Sequence, residues 1–209
     1  MDGDIAKQQR ELGAGYNISF GVAVPHLLQI SQGLPRSREL AEIMWKKEVR
    51  EMKLLALLIY PTEELTKEMA LHLIEEAPTQ EVAEQLVMRQ LRHTPFLREL
   101  TLHLFLQKPS SQASVVTTRY LLLGHAARQG SLNPEELRAL QPILLQDLQS
   151  SNLLLLSTIN NTLIRLAEIP GLHDTMRNIA TIAYEVTDEG LPGKHIAEQL
   201  MHYLLNNDN

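Results

Sequence analysis

The chain has 209 residues, 44% of them hydrophobic but only 4% aromatic, so it is long enough to bury a substantial core, and its leucine-rich composition favours helices over sheets. A formal net charge of -6 at pH 7 excludes a protein that is basic as a whole, so any face for a phosphate backbone must be a local one. The absence of cysteine excludes disulfides, thiolate nucleophiles and Cys-based zinc sites.

The opening Met1-Asp2-Gly3-Asp4-Ile5-Ala6-Lys7 has an acidic flank and no apolar core of a signal peptide. No run approaches the roughly 18–20 apolar residues of a bilayer span, so the expected location is cytoplasmic and no membrane partner is expected. Gly13-Ala14-Gly15 does not join a strand to a helix and reads as a turn rather than a phosphate loop. Beyond it, proline and cap residues separate segments with apolar residues at three- and four-residue spacing. These predict helices at about 25–34, 36–47, 49–60, 62–77, 79–92, 94–107, 112–129, 133–149, 151–168, 171–188 and 193–206. Thr62 after Pro61 reads as the cap of a helix whose Leu65, Met69, Leu73 and Ala77 share one stripe, and Thr94-Pro95 repeats the device with Pro95 at the first helical position. Lys108-Pro109-Ser110-Ser111-Gln112 is a turn between helices. Asn133-Pro134-Glu135-Glu136 has the spacing of a capping box. Leu156, Ile159, Leu163 and Leu166 form an apolar line, and Asn160-Asn161-Thr162 within the same helix is read as polar groups satisfied against a neighbouring helix.

Strand signals are essentially absent. Paired in order from about residue 36, the helices form units of roughly 30–38 residues, near the period of HEAT-type arrays. The expected architecture is a single all-α domain over 1–209, a HEAT-like solenoid, with a compact helical bundle as the structural alternative.

Three ordered stretches carry a more specific signal. Gly21-Val22-Ala23-Val24-Pro25-His26-Leu27, then Leu40-Ala41-Glu42-Ile43-Met44-Trp45, then Arg50-Glu51-Met52-Lys53-Leu54-Leu55-Ala56 together resemble the opening of the AlkD-type DNA alkylation-repair proteins, which show a G-V-x-V-P-x-L turn, an L-A-x-x-L-W helix and an R-E-x-x-L-L-A helix in this order. The match is good over about the first 60 residues and fades after about residue 107. The resemblance implies a concave stack of HEAT-like repeats that tracks double-stranded DNA, and a background in releasing N3- or N7-alkylated purines.

The family's functional segment, of W-D-x-x-D type, corresponds here to Thr79-Gln80-Glu81-Val82-Ala83-Glu84-Gln85-Leu86, with Gln80 where the tryptophan is expected and Glu84 where the acid is expected. Breaking the glycosidic bond of an alkylated purine develops positive charge on the sugar, which a nearby carboxylate stabilises. An aromatic face holds the cationic base by cation-π attraction of ~0.5–2 kcal/mol, which Gln80 does not supply. Glu84 keeps the charge on a longer arm, and a displacement of about 1 Å lowers a rate on the order of 10²-fold. The expectation is therefore a diverged relative that binds DNA or a modified nucleic acid, with weak, altered or absent glycosylase activity. Glu84 is the first candidate carboxylate, Glu81 a second, and Gln80 and Trp45 are groove-lining candidates. Arg89, Arg92, Arg98, Lys108, Arg119 and Arg128 are the candidate phosphate contacts, since no acid falls between Leu100 and Pro134. The alternative is a noncatalytic HEAT-like scaffold for a protein partner, favoured by the missing aromatic motif and by Glu63, Glu64, Glu68, Glu75, Glu76, Glu81 and Glu84 facing only Lys67. No cofactor is expected, and the eight histidines form no metal signature.

Overall fold

The computed structural model describes residues 18–106, 110 and 112–206. Lys108, Gly13-Ala14-Gly15 and the opening seven residues lie outside them. Among the described residues there are eleven α-helices and no strand. They are α1 Val24–Gln32, α2 Arg38–Trp45, α3 Arg50–Ile59, α4 Lys67–Glu76, α5 Gln80–Arg89, α6 Leu97–Leu106, α7 Ala113–Arg128, α8 Pro134–Asp147, α9 Leu153–Ala167, α10 His173–Val186 and α11 Pro192–Asn206. Each predicted helix has its counterpart. The fold divides into two compact units, with the boundary between Pro95 and Phe96.

In the first unit α3 is the central element, packed on α1, α2 and α5, with α4 against α5. Its sequence explains the position: Leu54, Leu55, Ala56, Leu57 and Ile59 are all buried, leaving almost no polar face. In the second unit α7, α9 and α11 pack successively on one another, and so do α6, α8 and α10, with α6 on α7 and α10 on α11 closing the pairs. This two-row arrangement is how helix pairs bury an apolar stripe that neither helix buries alone. The predicted line Leu156, Ile159, Leu163 and Leu166 is at most 2% exposed, and Thr162 beside it donates to the Tyr120 carbonyl of α7 at 3.4 Å.

Helix starts follow the caps. The hydroxyls of Ser37, Thr66 and Thr79 accept from the N–H groups of Leu40, Met69 and Val82, and Asn133 with Glu136 forms the full reciprocal box. Two predicted starts are corrected. Thr62 is not the cap of α4: its hydroxyl donates to Gln90 Oε1 at 2.7 Å, residues Thr62–Glu64 make one 3₁₀ turn, and the helix restarts at Lys67 under Thr66. Pro95 is not the first residue of α6, because the Thr94 hydroxyl donates to the Leu91 carbonyl at 2.8 Å, closing a 3₁₀ turn at Leu91–His93 before α6 begins at Leu97. Gln90 accounts for the break between α5 and that turn. Its buried amide donates to the carbonyls of Leu57 and Tyr60, at 2.7 and 3.2 Å, filling acceptors that the end of α3 leaves open.

At Gly193 in α11 the backbone meets the end of α8, and an added β-carbon would stand 1.9 Å from the Leu148 carbonyl oxygen. Replacement by alanine must push two helices apart against backbone rather than against a flexible side chain. Gly193→Ala is expected to destabilise the second unit by about 1–3 kcal/mol, read as a lowered urea midpoint with unchanged m-value. A midpoint equal to wild type would show that α11 slides without loss.

Candidate functional site

The first unit contains a clasp of charged groups around Arg50. The chain reaches α3 through a short extended stretch whose Ile18 pairs with Val49, and Gly21 takes a left-handed φ of 69° that a side chain would strain. The Glu51 carboxylate accepts from the main-chain N–H groups of Phe20 and Val22 at 3.1 and 3.2 Å. Arg50 Nη1 donates to the Val22 carbonyl at 2.8 Å and to Glu51 at 3.1 Å. Its Nε and Nη2 reach Glu81, the Nε at 2.7 Å. Burial alone would raise the Glu51 carboxyl, but the main-chain N–H groups and the guanidinium outweigh it and hold the group below the usual glutamate range. The G-V-x-V-P turn and the R-E start of α3 are therefore one physical device, which ties residues 20–22 to α3 and α5. Sequence reading missed the role of Arg50; the signal was a charged pair opening a helix whose last six residues are all apolar.

Glu81, one of the two candidate carboxylates, is thus committed to Arg50. Glu84 lies one turn further along α5, exposed, with no ion pair among the described residues. The packed helix surface around it desolvates the carboxyl and Glu81 adds a like charge, so its proton is held more tightly than an ordinary glutamate's. Val82, Ala83, Leu86 and Val87 are fully buried beside it, which puts Glu84 at the rim of the packed stripe. Gln80, half-buried, begins the helix one turn before Glu84.

Trp45 is 6% exposed at the wall of a pocket of about 210 Å³ between α2, α3 and α4. Its indole N–H donates to Glu76 Oε2 at 2.7 Å. The Lys53 ammonium rests 4.6 Å from the ring centroid and donates to the Trp45 carbonyl at 2.8 Å. Met69 and Leu73, on the predicted apolar stripe, are only half-buried because they line this pocket; the fully buried positions of α4 are Ala70 and Ile74.

The candidate phosphate contacts separate by environment. Arg89, in the last turn of α5, donates to Gln85 at 3.2 Å, and Arg92 in the following 3₁₀ turn donates to His93 at 2.9 Å. In the second unit Arg98 is exposed and paired with Glu136, and Arg128 is exposed at the end of α7. Arg119 is a correction. It is 1% exposed, its guanidinium pairs with Asp147 and stands 5.0 Å from the Phe105 ring centroid, and no phosphate reaches it. Tyr120 donates to the same Asp147 oxygen at 2.8 Å. Burial raises the Asp147 carboxyl, and its bonds to Arg119 and Tyr120 only partly offset that.

No helix of the described residues is long and apolar enough to cross a membrane. No family model matches the chain, and no curated protein matches it. Its fold is similar to a solved structure from a family of proteins related to the HEAT-like repeat DNA glycosylases and having affinity for branched DNA structures. The TM-score is 0.71 at 15% sequence identity, covering 97% of this chain and 88% of that one. The fold is accordingly an all-α, HEAT-like helical repeat.

Proposed function

We propose that this chain is a cytoplasmic DNA-binding protein of HEAT-like build, diverged from the AlkD-type alkylation-repair enzymes, that prefers branched to linear duplexes and has weak or no alkylpurine release. One observation carries the reading: over 97% of its length the chain shares the fold of a protein whose family is related to those glycosylases and has affinity for branched DNA. The residues agree with the loss of ordinary chemistry. Gln80 offers no aromatic face, and Glu81 is held by Arg50, which leaves Glu84 as the one candidate carboxylate in this segment without a cation. Arg89 and Arg92 supply phosphate contacts from the first unit, and Arg98 and Arg128 from the second.

Anisotropy titration with a four-way junction and a linear duplex of equal length tests the binding. The junction is expected to bind more tightly. Arg89→Ala/Arg92→Ala is expected to remove about two ion contacts, so that the affinity lost between 50 and 200 mM salt shrinks by about tenfold. Unchanged affinity and salt slope in the double variant would remove both arginines from the interface, and equal binding of the two DNAs would remove the preference for branches. For the chemistry, any release of a 7-methylated purine above the spontaneous rate is expected to fall on the order of 10²-fold in Glu84→Gln. Equal rates would take Glu84 out of the mechanism.

A further inference from the structure

Trp45, a groove-lining candidate by resemblance, walls a pocket that contains none of the arginines or candidate carboxylates of the DNA-binding reading. Its apolar lining includes Ala41, Trp45, Leu57, Tyr60, Met69 and Leu73, all from the first unit, and its volume is about 210 Å³. A cavity of about 150 Å³ accepts a benzene ring, so this one has room for a single phenylalanine- or leucine-sized group. Glu42, paired with Arg38, and Glu76, bonded to the Trp45 indole, stand among its lining residues together with Lys46 and His72. Beyond them the outer surface of α4 and the turn before it expose Glu63, Glu64, Glu68 and Glu75; Arg36 pairs with Glu63 at 3.6 Å, and Lys67 is the one lysine on α4 itself. Over the ten residues of α4 that acidic surface runs about 15 Å, longer than one small molecule and matched to several residues of peptide. A phosphate backbone is repelled there.

We infer that this pocket is a docking site for a basic amphipathic peptide segment of a partner protein, which seats one aromatic or leucine side chain against Trp45 and lays lysines or arginines along the acidic surface of α4. The apolar anchor supplies the burial and the flanking charges select the partner, the division of labour of helix-in-groove recognition. Lys53 is a precedent within the fold: an ammonium already rests on the Trp45 ring and interacts with Glu76. The inference does not depend on DNA binding, and Arg89→Ala/Arg92→Ala leaves it untouched.

Trp45 is the only tryptophan in the chain, so its emission reports the pocket directly. The probe is a fluorescein-labelled synthetic 16-residue peptide with one Phe flanked by lysines, compared with the same peptide carrying Ala for Phe and with one carrying Glu for every Lys. A second, unlabelled sample is used for the emission titration. The lysine peptide is expected to shift Trp45 emission saturably. Its affinity is expected to fall at least tenfold on Phe→Ala in the peptide and at least tenfold in Leu73→Phe, which fills the pocket from a half-buried position. About tenfold is expected to be lost in Glu64→Lys/Glu68→Lys/Glu75→Lys, and the glutamate peptide is not expected to bind. Met69→Phe serves as a second filled variant if Leu73→Phe fails to fold by circular dichroism. Binding that leaves Trp45 emission unmoved, or that is unaffected by both filled variants, would reduce the effect to nonspecific charge attraction and overturn the proposal. Displacement of the peptide by the four-way junction with the same emission shift would also overturn it, assigning the pocket to nucleic acid.

Discussion

Asp147→Ala is expected to destabilise the second unit by about 3–5 kcal/mol, one of the two largest losses from a single truncation in this chain. The Arg119 guanidinium is 1% exposed, lies near the rings of Phe105 and Tyr120, and has Asp147 as its ion-pair partner. Without the carboxylate a cation that cannot deprotonate is left in an apolar layer, and the Tyr120 hydroxyl loses its acceptor. Arg119→Met differs in a way that pH reveals. Burial raises the Asp147 carboxyl, so in the pH range between its unfolded and folded values lowering the pH favours the fold. Removing the arginine accentuates this. Arg119→Met is expected to regain stability from pH 7 to pH 5, by up to about 1.4 kcal/mol per pH unit, whereas Asp147→Ala gains nothing from this pair. Arg119→Met/Asp147→Leu is expected to fall about 1–3 kcal/mol below wild type: packed apolar groups replace the buried pair at little cost, but the Tyr120 hydroxyl still loses its acceptor. Urea titrations of the four proteins at both pH values test this, and a loss below about 1 kcal/mol for Asp147→Ala would mean that Arg119 escapes to water.

The second large effect is at the clasp. Arg50→Ala removes the donors that meet Val22, Glu51 and Glu81 and leaves Glu51, which is 5% exposed, without its cation. A loss of about 3–5 kcal/mol is expected, or roughly 10 °C in Tm for a chain of this size. Arg50→Lys is expected to recover little, because one ammonium cannot reach three acceptors that a planar fork spans. The pH dependence has the opposite sign to that of Asp147. Glu51 is held below its ordinary range, so its contribution is present at neutral pH and is lost as pH falls through the lowered folded value. Scanning calorimetry at pH 7 and pH 4 reads both effects, and a Tm within about 2 °C of wild type for Arg50→Ala would show that water replaces the guanidinium.

Helix number and order were legible in the sequence because they rest on local apolar spacing and on caps such as Asn133 with Glu136. What the sequence concealed is polar chemistry between distant segments. Thr62 looks like a cap until Gln90, 28 positions away, takes its hydroxyl. Arg50 and Glu81 are 31 positions apart, so no window of helical length contains both. Arg119 read as a surface cation because the nearest acid is far along the chain, yet it sits in a helix whose Val116, Tyr120, Leu122 and Leu123 leave little polar face. Spacing placed Met69 and Leu73 on one apolar stripe, but spacing does not distinguish a packed stripe from the wall of an open pocket.

The clasp also sets which substitutions the stretch before α1 will accept. Glu51 and Arg50 hold residues 20 and 22 by main-chain N–H and C=O groups, not by their side chains. Most replacements of Phe20 or Val22 keep those groups, while proline at either position deletes a donor. Drift in sequence across this segment is therefore compatible with an unaltered backbone path, and the invariant requirement falls on a glycine between them and on two charged side chains elsewhere.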